Sequence, residues 1–289
     1  QRFDQRITIS GQLEPTKDLI ISINMGKSFT KNYSETFRFI DTSGGSNPTF
    51  QHLNPYAGGS FDVTYIAFKT LFGKYDPNVV SKTFTTFEAN RIILSERVGK
   101  RNPYTNNQVL ADGFYYGYGQ YAVDVLVPSF LAAYTGKSPE KVSLINQSNP
   151  KLRSNPFEAI FPLPNWKLDY NGLTRIKGLE KILTNFTFSH GYNANVSMNA
   201  FTSQLDYQDV SNYGFPSFYD SVYRGFIPYY MMPNVTIIEQ FAPLVGFDMM
   251  FTNQMQAKFE YIKTRALSLS LIDYQLSEVR STEFVIGAE

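Results

Sequence analysis

Gln254-Met255-Gln256-Ala257-Lys258-Phe259-Glu260-Tyr261-Ile262-Lys263-Thr264-Arg265-Ala266-Leu267-Ser268-Leu269-Ser270-Leu271 is the stretch that decides the fold. Its odd positions are apolar at both ends, from Met255, Ala257, Phe259 and Tyr261 to Leu267, Leu269 and Leu271. Its even positions are mostly polar, and successive side chains of a strand point to opposite faces. Ordinary strands run about 3–10 residues, and this one approaches twice that. At roughly 3.3 Å per residue it would extend on the order of 60 Å, about double the hydrocarbon core of a bilayer. The pattern predicts a wall strand of a tall membrane barrel.

The same alternation recurs along the chain. Ile7, Ile9, Gly11 and Leu13 oppose Arg6, Thr8, Ser10 and Gln12, and after the turn Glu14-Pro15-Thr16-Lys17 come Leu19, Ile21, Ile23 and Met25. Gly59 to Thr70 is a weaker case. Trp166, Leu168 and Tyr170 oppose Lys167, Asp169 and Asn171. In the next run Phe186, Phe188, His190, Tyr192, Ala194, Val196 and Met198 face away from Asn185, Thr187, Ser189, Asn193, Asn195 and Ser197. Val235 to Phe251 keeps odd parity except at Glu239, and Pro243 predicts a bulge or strand end because proline cannot donate to the ladder. The expectation is an all-β fold of long antiparallel strands, part of a very large transmembrane β-barrel. Asn185, Thr187, Asn193, Asn195, Ser197, Lys258 and Glu260 would face the lumen. Phe186, Phe188, Phe247, Phe259, Leu267 and Leu269 would face lipid.

Composition fits this reading. Aromatic residues make up 16% of the chain, with 25 Phe, 20 Tyr and one Trp, the rings from which barrel girdles are built. A net charge of +1 gives no electrostatic case for nucleic acid. Cysteine is absent, which removes disulfides and thiolate metal sites. The best apolar run, Tyr121 to Tyr134, is interrupted by Asp124 and Pro128 and is too short for a helical membrane span. About eight or nine strands can be counted in the 289 residues, and an open sheet has unpaired edges that lipid does not tolerate. With Gln at position 1 and a strand-like pattern still running at Phe284 to Glu289, the expectation is a piece of a longer chain.

Residues 74–164 break the pattern and read as an insertion between strands 1–73 and 165–289. Asn78 could cap a helix carrying Val80, Phe84, Phe87 and Leu94 and ending near Gly99. A shorter helix is predicted over Val125 to Tyr134, with Gly136 as its C-terminal cap. Asn149-Pro150, Asn155-Pro156 and Phe161-Pro162-Leu163-Pro164 mark an extended return.

Catalysis finds little support. His52 and His190 are the only histidines, and His190 sits on the apolar parity of its strand. No metalloprotease, nucleophile-elbow, Walker or dinucleotide motif occurs. Gly113-Phe114-Tyr115-Tyr116-Gly117-Tyr118-Gly119 lacks the strand-then-helix setting of a phosphate loop and reads as a turn with aromatic anchors. Five Asn-x-Ser/Thr sequons, at Asn32, Asn146, Asn185, Asn195 and Asn234, are best read as chance, since three fall in or at the start of strands. The expectation is no enzyme, no cofactor and no metal.

Four phrases resemble one family. They are Leu163-Pro164-Asn165-Trp166-Lys167-Leu168-Asp169-Tyr170-Asn171-Gly172-Leu173, Val127-Pro128-Ser129-Phe130-Leu131-Ala132-Ala133-Tyr134-Thr135-Gly136, Glu239-Gln240-Phe241-Ala242-Pro243-Leu244, and Leu267-Ser268-Leu269-Ser270 with Leu276 through Gly287. In this order, from about Ser60 onward, the chain is similar to a late portion of the SprA (Sov) family. That family is the outer-membrane translocon of the type IX secretion system, used by Bacteroidota for protein secretion and gliding motility. The resemblance implies a very large single-chain barrel, folded secreted proteins as cargo, and a PorV-like shuttle barrel and a periplasmic plug protein as partners. Other readings are a TonB-dependent type of barrel transporter and a soluble carbohydrate-binding β-protein.

Overall fold

A computed structural model of the chain describes residues 1–40, 49–73, 76, 78–147 and 155–289, without the side chains of Ile40, Thr49 and His52. The chain is mostly antiparallel β-sheet, with 49% of residues in strands and 16% helical. The main strands are β1 (Arg2–Thr16), β2 (Leu19–Ile40), β3 (Thr49–Thr64), β4 (Asn165–Tyr170), β5 (Leu183–Ser203), β9 (Asn234–Phe251), β10 (Gln256–Ser270) and β11 (Leu276–Ala288). Three two-residue strands, β6 (Tyr219–Asp220), β7 (Gly225–Phe226) and β8 (Tyr230–Met231), lie between β5 and β9. The main sheet is ordered β1-β2-β3-β5-β9-β10-β11, with β4 paired to both β2 and β5. Among the described residues it stays open, with β1 and β11 at its edges.

Alternation holds because each strand keeps its register. The Phe247 row runs across the sheet as Phe188, Phe247, Phe259 and Ile286, and the next row as Phe186, Met249, Ala257 and Ala288. Pro243 lies in a bulge: Phe241 pairs Lys263 and Val245 pairs Tyr261, so three residues face the single Ile262. Two extra residues keep the parity, and Phe241, Val245 and Phe247 stay on one face. Gly246 is required there, since a Cβ would stand 2.3 Å from Ser189 Oγ and 2.7 Å from Pro243 Cγ.

β3 and β4 occupy one column between β2 and β5. β3 pairs with the upper part of β2, from Lys27↔Val63 to Ile40↔Thr49, and β4 with its lower part, from Asn24↔Asn165 to Leu19↔Tyr170. The chain therefore leaves the sheet at Thr64, earlier than residue 74, and re-enters the same column at Asn165. Lys74 and Asn149-Pro150 lie outside the described residues. Two side chains patch the gap. Thr64 Oγ1 accepts from Gly26 N at 3.0 Å, and Asn165 Oδ1 accepts from Ala194 N at 2.9 Å.

The excursion carries two α-helices, α1 (Lys82–Gly99) and α2 (Val123–Thr135). α1 is capped by Ser81, whose hydroxyl accepts from Phe84 N at 3.1 Å, rather than by Asn78. The difference is local: Asn78 sits in a turn in which its own N–H bonds Asp76 Oδ1. α2 ends at Gly136, whose φ of 65° is left-handed and cheapest for glycine. All 13 residues of α2 are buried. It packs on Val63, Val196, Met198, Ile237, Leu267 and Leu269 in one core, with Phe87, Leu94 and Val98 of α1 in the same cluster. Each such large side chain contributes about 1.5–3 kcal/mol when fully buried. A second excursion, residues 204–233, also packs there through Phe226, Tyr230 and Met232.

Candidate functional site

By register, Asn185, Thr187, Asn193, Asn195, Ser197, Lys258 and Glu260 share one side of the sheet, with Thr187, Asp248 and Lys258 in one row. Exposed Lys258 and half-buried Glu260 form an ion pair at 3.0 Å. Ser197 is buried because its hydroxyl and the Asn195 amide both donate to Asp62 Oδ2. A depression of about 830 Å³ lies on this face at the β3/β4 gap, lined by Asp62, Thr64, Asn165, Asn193 and Asn195 among others. Short neutral groups dominate it, so it offers water many hydrogen bonds.

The opposite face divides in two. Phe186 and Phe188 each lie 5.7 Å from Phe247 between ring centroids, and Phe247 lies 6.5 Å from Phe259. Tyr261 stacks on Phe284 at 4.9 Å, and Phe284 and Ile286 are 63% and 78% exposed. These rings form an uncovered apolar zone. Leu267 and Leu269 share the face but lie 1% exposed beneath the helices, so they pack on protein and the expectation of lipid contact is corrected for them. Strand parity assigns a face; it does not say what covers it.

A belt of charge marks the boundary. Glu239 and Arg265 are paired positions of β9 and β10, and their fully buried side chains form an ion pair. The Tyr192 hydroxyl donates to Glu239 at 3.0 Å and accepts from Ala67 N at 2.9 Å. Arg265 donates to Ala67 O at 3.2 Å and to Thr70 Oγ1 at 2.9 Å, and Thr70 donates to the Tyr134 carbonyl at the end of α2 at 2.8 Å. Arg280 holds Gly73 O at 2.8 Å and Glu278 at 2.6 Å. The sheet thus grips residues 67–73, which leave it on the way to α1 and touch the end of α2 through Thr70. Lys31 Nζ donates to the Tyr230 hydroxyl at 2.5 Å, and Lys27 Nζ to Glu158 O at 2.8 Å, so charges on apolar parity higher up anchor both excursions. Below Lys263 the apolar face carries no Asp, Glu, Lys or Arg among the described residues.

Sequence reading missed this belt, although it left a trace: Glu239, Lys263 and Arg265 interrupt apolar parity close together. His190, also on that parity, is held by Leu244 O at 2.7 Å from Nδ1 and lies 5.5 Å from the Phe241 ring, a packing role. The His52 side chain lies outside the described residues. Among the described residues no three His, Cys, Asp or Glu side chains group as a metal site. Among the described residues no helix is long and apolar enough to cross a membrane, which says nothing of crossing by strands.

One buried acid lies in the excursion. Asp124 on α2 accepts from Gln147 Nε2 at 2.7 Å, and Gln147 Oε1 accepts from Tyr230 N at 2.8 Å. Burial lifts the Asp124 carboxyl to about 6, the Gln147 bond opposing the shift. In comparisons with known proteins, no family model matches the chain, and neither does any curated protein.

Proposed function

We propose that this sheet is a stretch of wall in a wide protein-conducting barrel of the outer membrane, of the kind the SprA resemblance implies. One observation carries the reading: an uncharged aromatic zone lies on one face of strands whose other face is mostly polar, and a charged belt closes that zone on one side. From Leu183 to Tyr192 the zone rises roughly 30 Å along β5, or about 23 Å along the barrel axis at the tilt of such strands, close to their apolar band of about 25 Å. The polar face then lines water, and the diameter needed for folded cargo comes from many more strands than this sheet holds. Its open edges are paired in the assembled wall, because unpaired backbone groups are too costly in lipid.

Orientation follows from the connections. The β1–β2 and β9–β10 turns are short and meet at one end with residues 171–182, while both excursions lie toward the other, together with the short β10–β11 turn. Barrels of this class place short turns in the periplasm and long segments outside. The helices then sit beyond the bilayer, on the outer side of the wall above the charged belt. Folded secreted proteins would be the cargo, with a PorV-like shuttle barrel and a periplasmic plug as partners, in the outer membrane of a member of the Bacteroidota.

The test is cellular. Disrupting the gene that encodes this chain should abolish export of folded proteins and gliding while leaving other outer-membrane proteins in place, and the product should fractionate with the outer membrane. Recovery of the product in the soluble fraction, or unchanged export, would overturn the reading.

A further inference from the structure

A cleft of about 630 Å³ opens where three segments meet: the lead into α2, the β6–β7 turn of the second excursion, and the β10–β11 turn. Its size falls among small-ligand sites, about 300–1,000 Å³. Tyr121 and Tyr274 stand at its mouth, 46% and 37% exposed, with ring centroids 4.5 Å apart. Tyr219 lines it as well and is fixed by stacking on Tyr116 at 4.6 Å and 12°. Part-exposed tyrosine rings brought together from separate segments offer aromatic faces and hydroxyl groups to a ligand.

The polar lining has free acceptors. Asp220 Oδ1 accepts from Val222 N at 2.7 Å and Tyr223 N at 3.2 Å, and Asp112 Oδ1 accepts from Phe114 N at 3.2 Å. Each carboxylate is positioned by one oxygen, while its Oδ2 accepts no hydrogen bond among the described residues. Two lining residues, Arg224 and Tyr274, hold left-handed φ values of 54° and 58°. A bulky residue there is a backbone outlier, and such strain clusters at ligand-binding sites.

We propose that this cleft binds a carbohydrate, with pyranose rings lying across Tyr121 and Tyr274 and their hydroxyls donating to Asp112 and Asp220. The C–H face of a pyranose is weakly positive and flat, which suits the negative face of an aromatic ring. Two carboxylates against one arginine favour a neutral or amino sugar over a uronic acid. A polyproline segment would also meet aromatic ridges, but its residues have no backbone N–H to donate to two free carboxylate oxygens. The inference is independent of the translocon reading, since it needs only the cleft.

The experiment titrates the purified full chain in detergent with chitohexaose, maltohexaose, mannohexaose, hexagalacturonate and a decaproline peptide, followed by calorimetry. At least one of the three neutral or amino sugars should bind at micromolar to millimolar Kd. Tyr121→Ala and Tyr274→Ala should each weaken it about tenfold. Tyr121→Phe, which keeps the ring, should stay within about twofold of the parent, and so should Tyr213→Ala, remote from the cleft. The two Tyr121 variants guard against misfolding at the strained Tyr274. Absence of sugar binding, binding of only the galacturonate or the peptide, or equal weakening by Tyr213→Ala would overturn the proposal.

Discussion

Arg265 and Glu239 face each other across β10 and β9 with fully buried side chains, and around this pair the apolar face changes from an open aromatic surface to the floor of a helical core. Removing one member leaves the other charged and buried, which typically costs about 3–5 kcal/mol. Arg265→Ala or Glu239→Ala should therefore lower the temperature at which the folded band is lost in heat-modifiability gels. Glu239→Leu with Arg265→Met should recover most of that loss. The double variant still lacks the donors to Ala67 O and Thr70 Oγ1, so protease cleavage within 67–73 should stay elevated.

Phe259→Arg places a charge among Phe247, Phe284 and their neighbours in the open zone. Near the middle of a bilayer this should cost about 2–4 kcal/mol of folding free energy, measured by urea titration in lipid vesicles. Phe259→Leu should cost far less. An equal, small effect of both would place this surface in water.

Ser81→Ala removes the cap of α1 and should cost about 1 kcal/mol, visible as faster hydrogen exchange in its first turn. Asn78→Ala should leave that exchange unchanged.

Asp124 gives a pH dependence with a definite sign. Its folded-state pKa of about 6 lies above the 3.8 of a free aspartate, so the protonated form is favoured in the fold. The associated stability is complete below about pH 4 and is lost as pH rises through about 6. Hydrogen exchange of α2 should quicken over that interval, and Asp124→Asn should flatten the profile. An unchanged profile in the variant would assign the pH dependence to another group.

Much of the wall was legible because a period of two survives bulges and turns: β5, β9 and β10 all hold the parity read from their residues. α2 was legible from its density of large apolar groups and the glycine that ends it. The exit at Thr64 was not, because Tyr65 and Ala67 extend the strand's own parity after the chain has left the sheet. Ser81 and Asn78 are both good capping residues, and only the hydrogen bonds separate them. Leu267 and Leu269 read as lipid-facing because the inner side of a helix and a lipid tail are equally apolar. The second excursion, residues 204–233, has too little regular structure to leave a periodic signal.

The chain has no native cysteine, so single cysteines report on the two faces without background. Lys258 and Phe259 are neighbours on β10 that point to opposite sides, the first exposed and the second against Phe247. In native outer membranes, Lys258→Cys should react quickly with a membrane-impermeant, water-soluble maleimide and Phe259→Cys should react slowly, becoming fast only after detergent extraction. Equal rates in intact membranes would contradict the assignment of one face to water and the other to lipid.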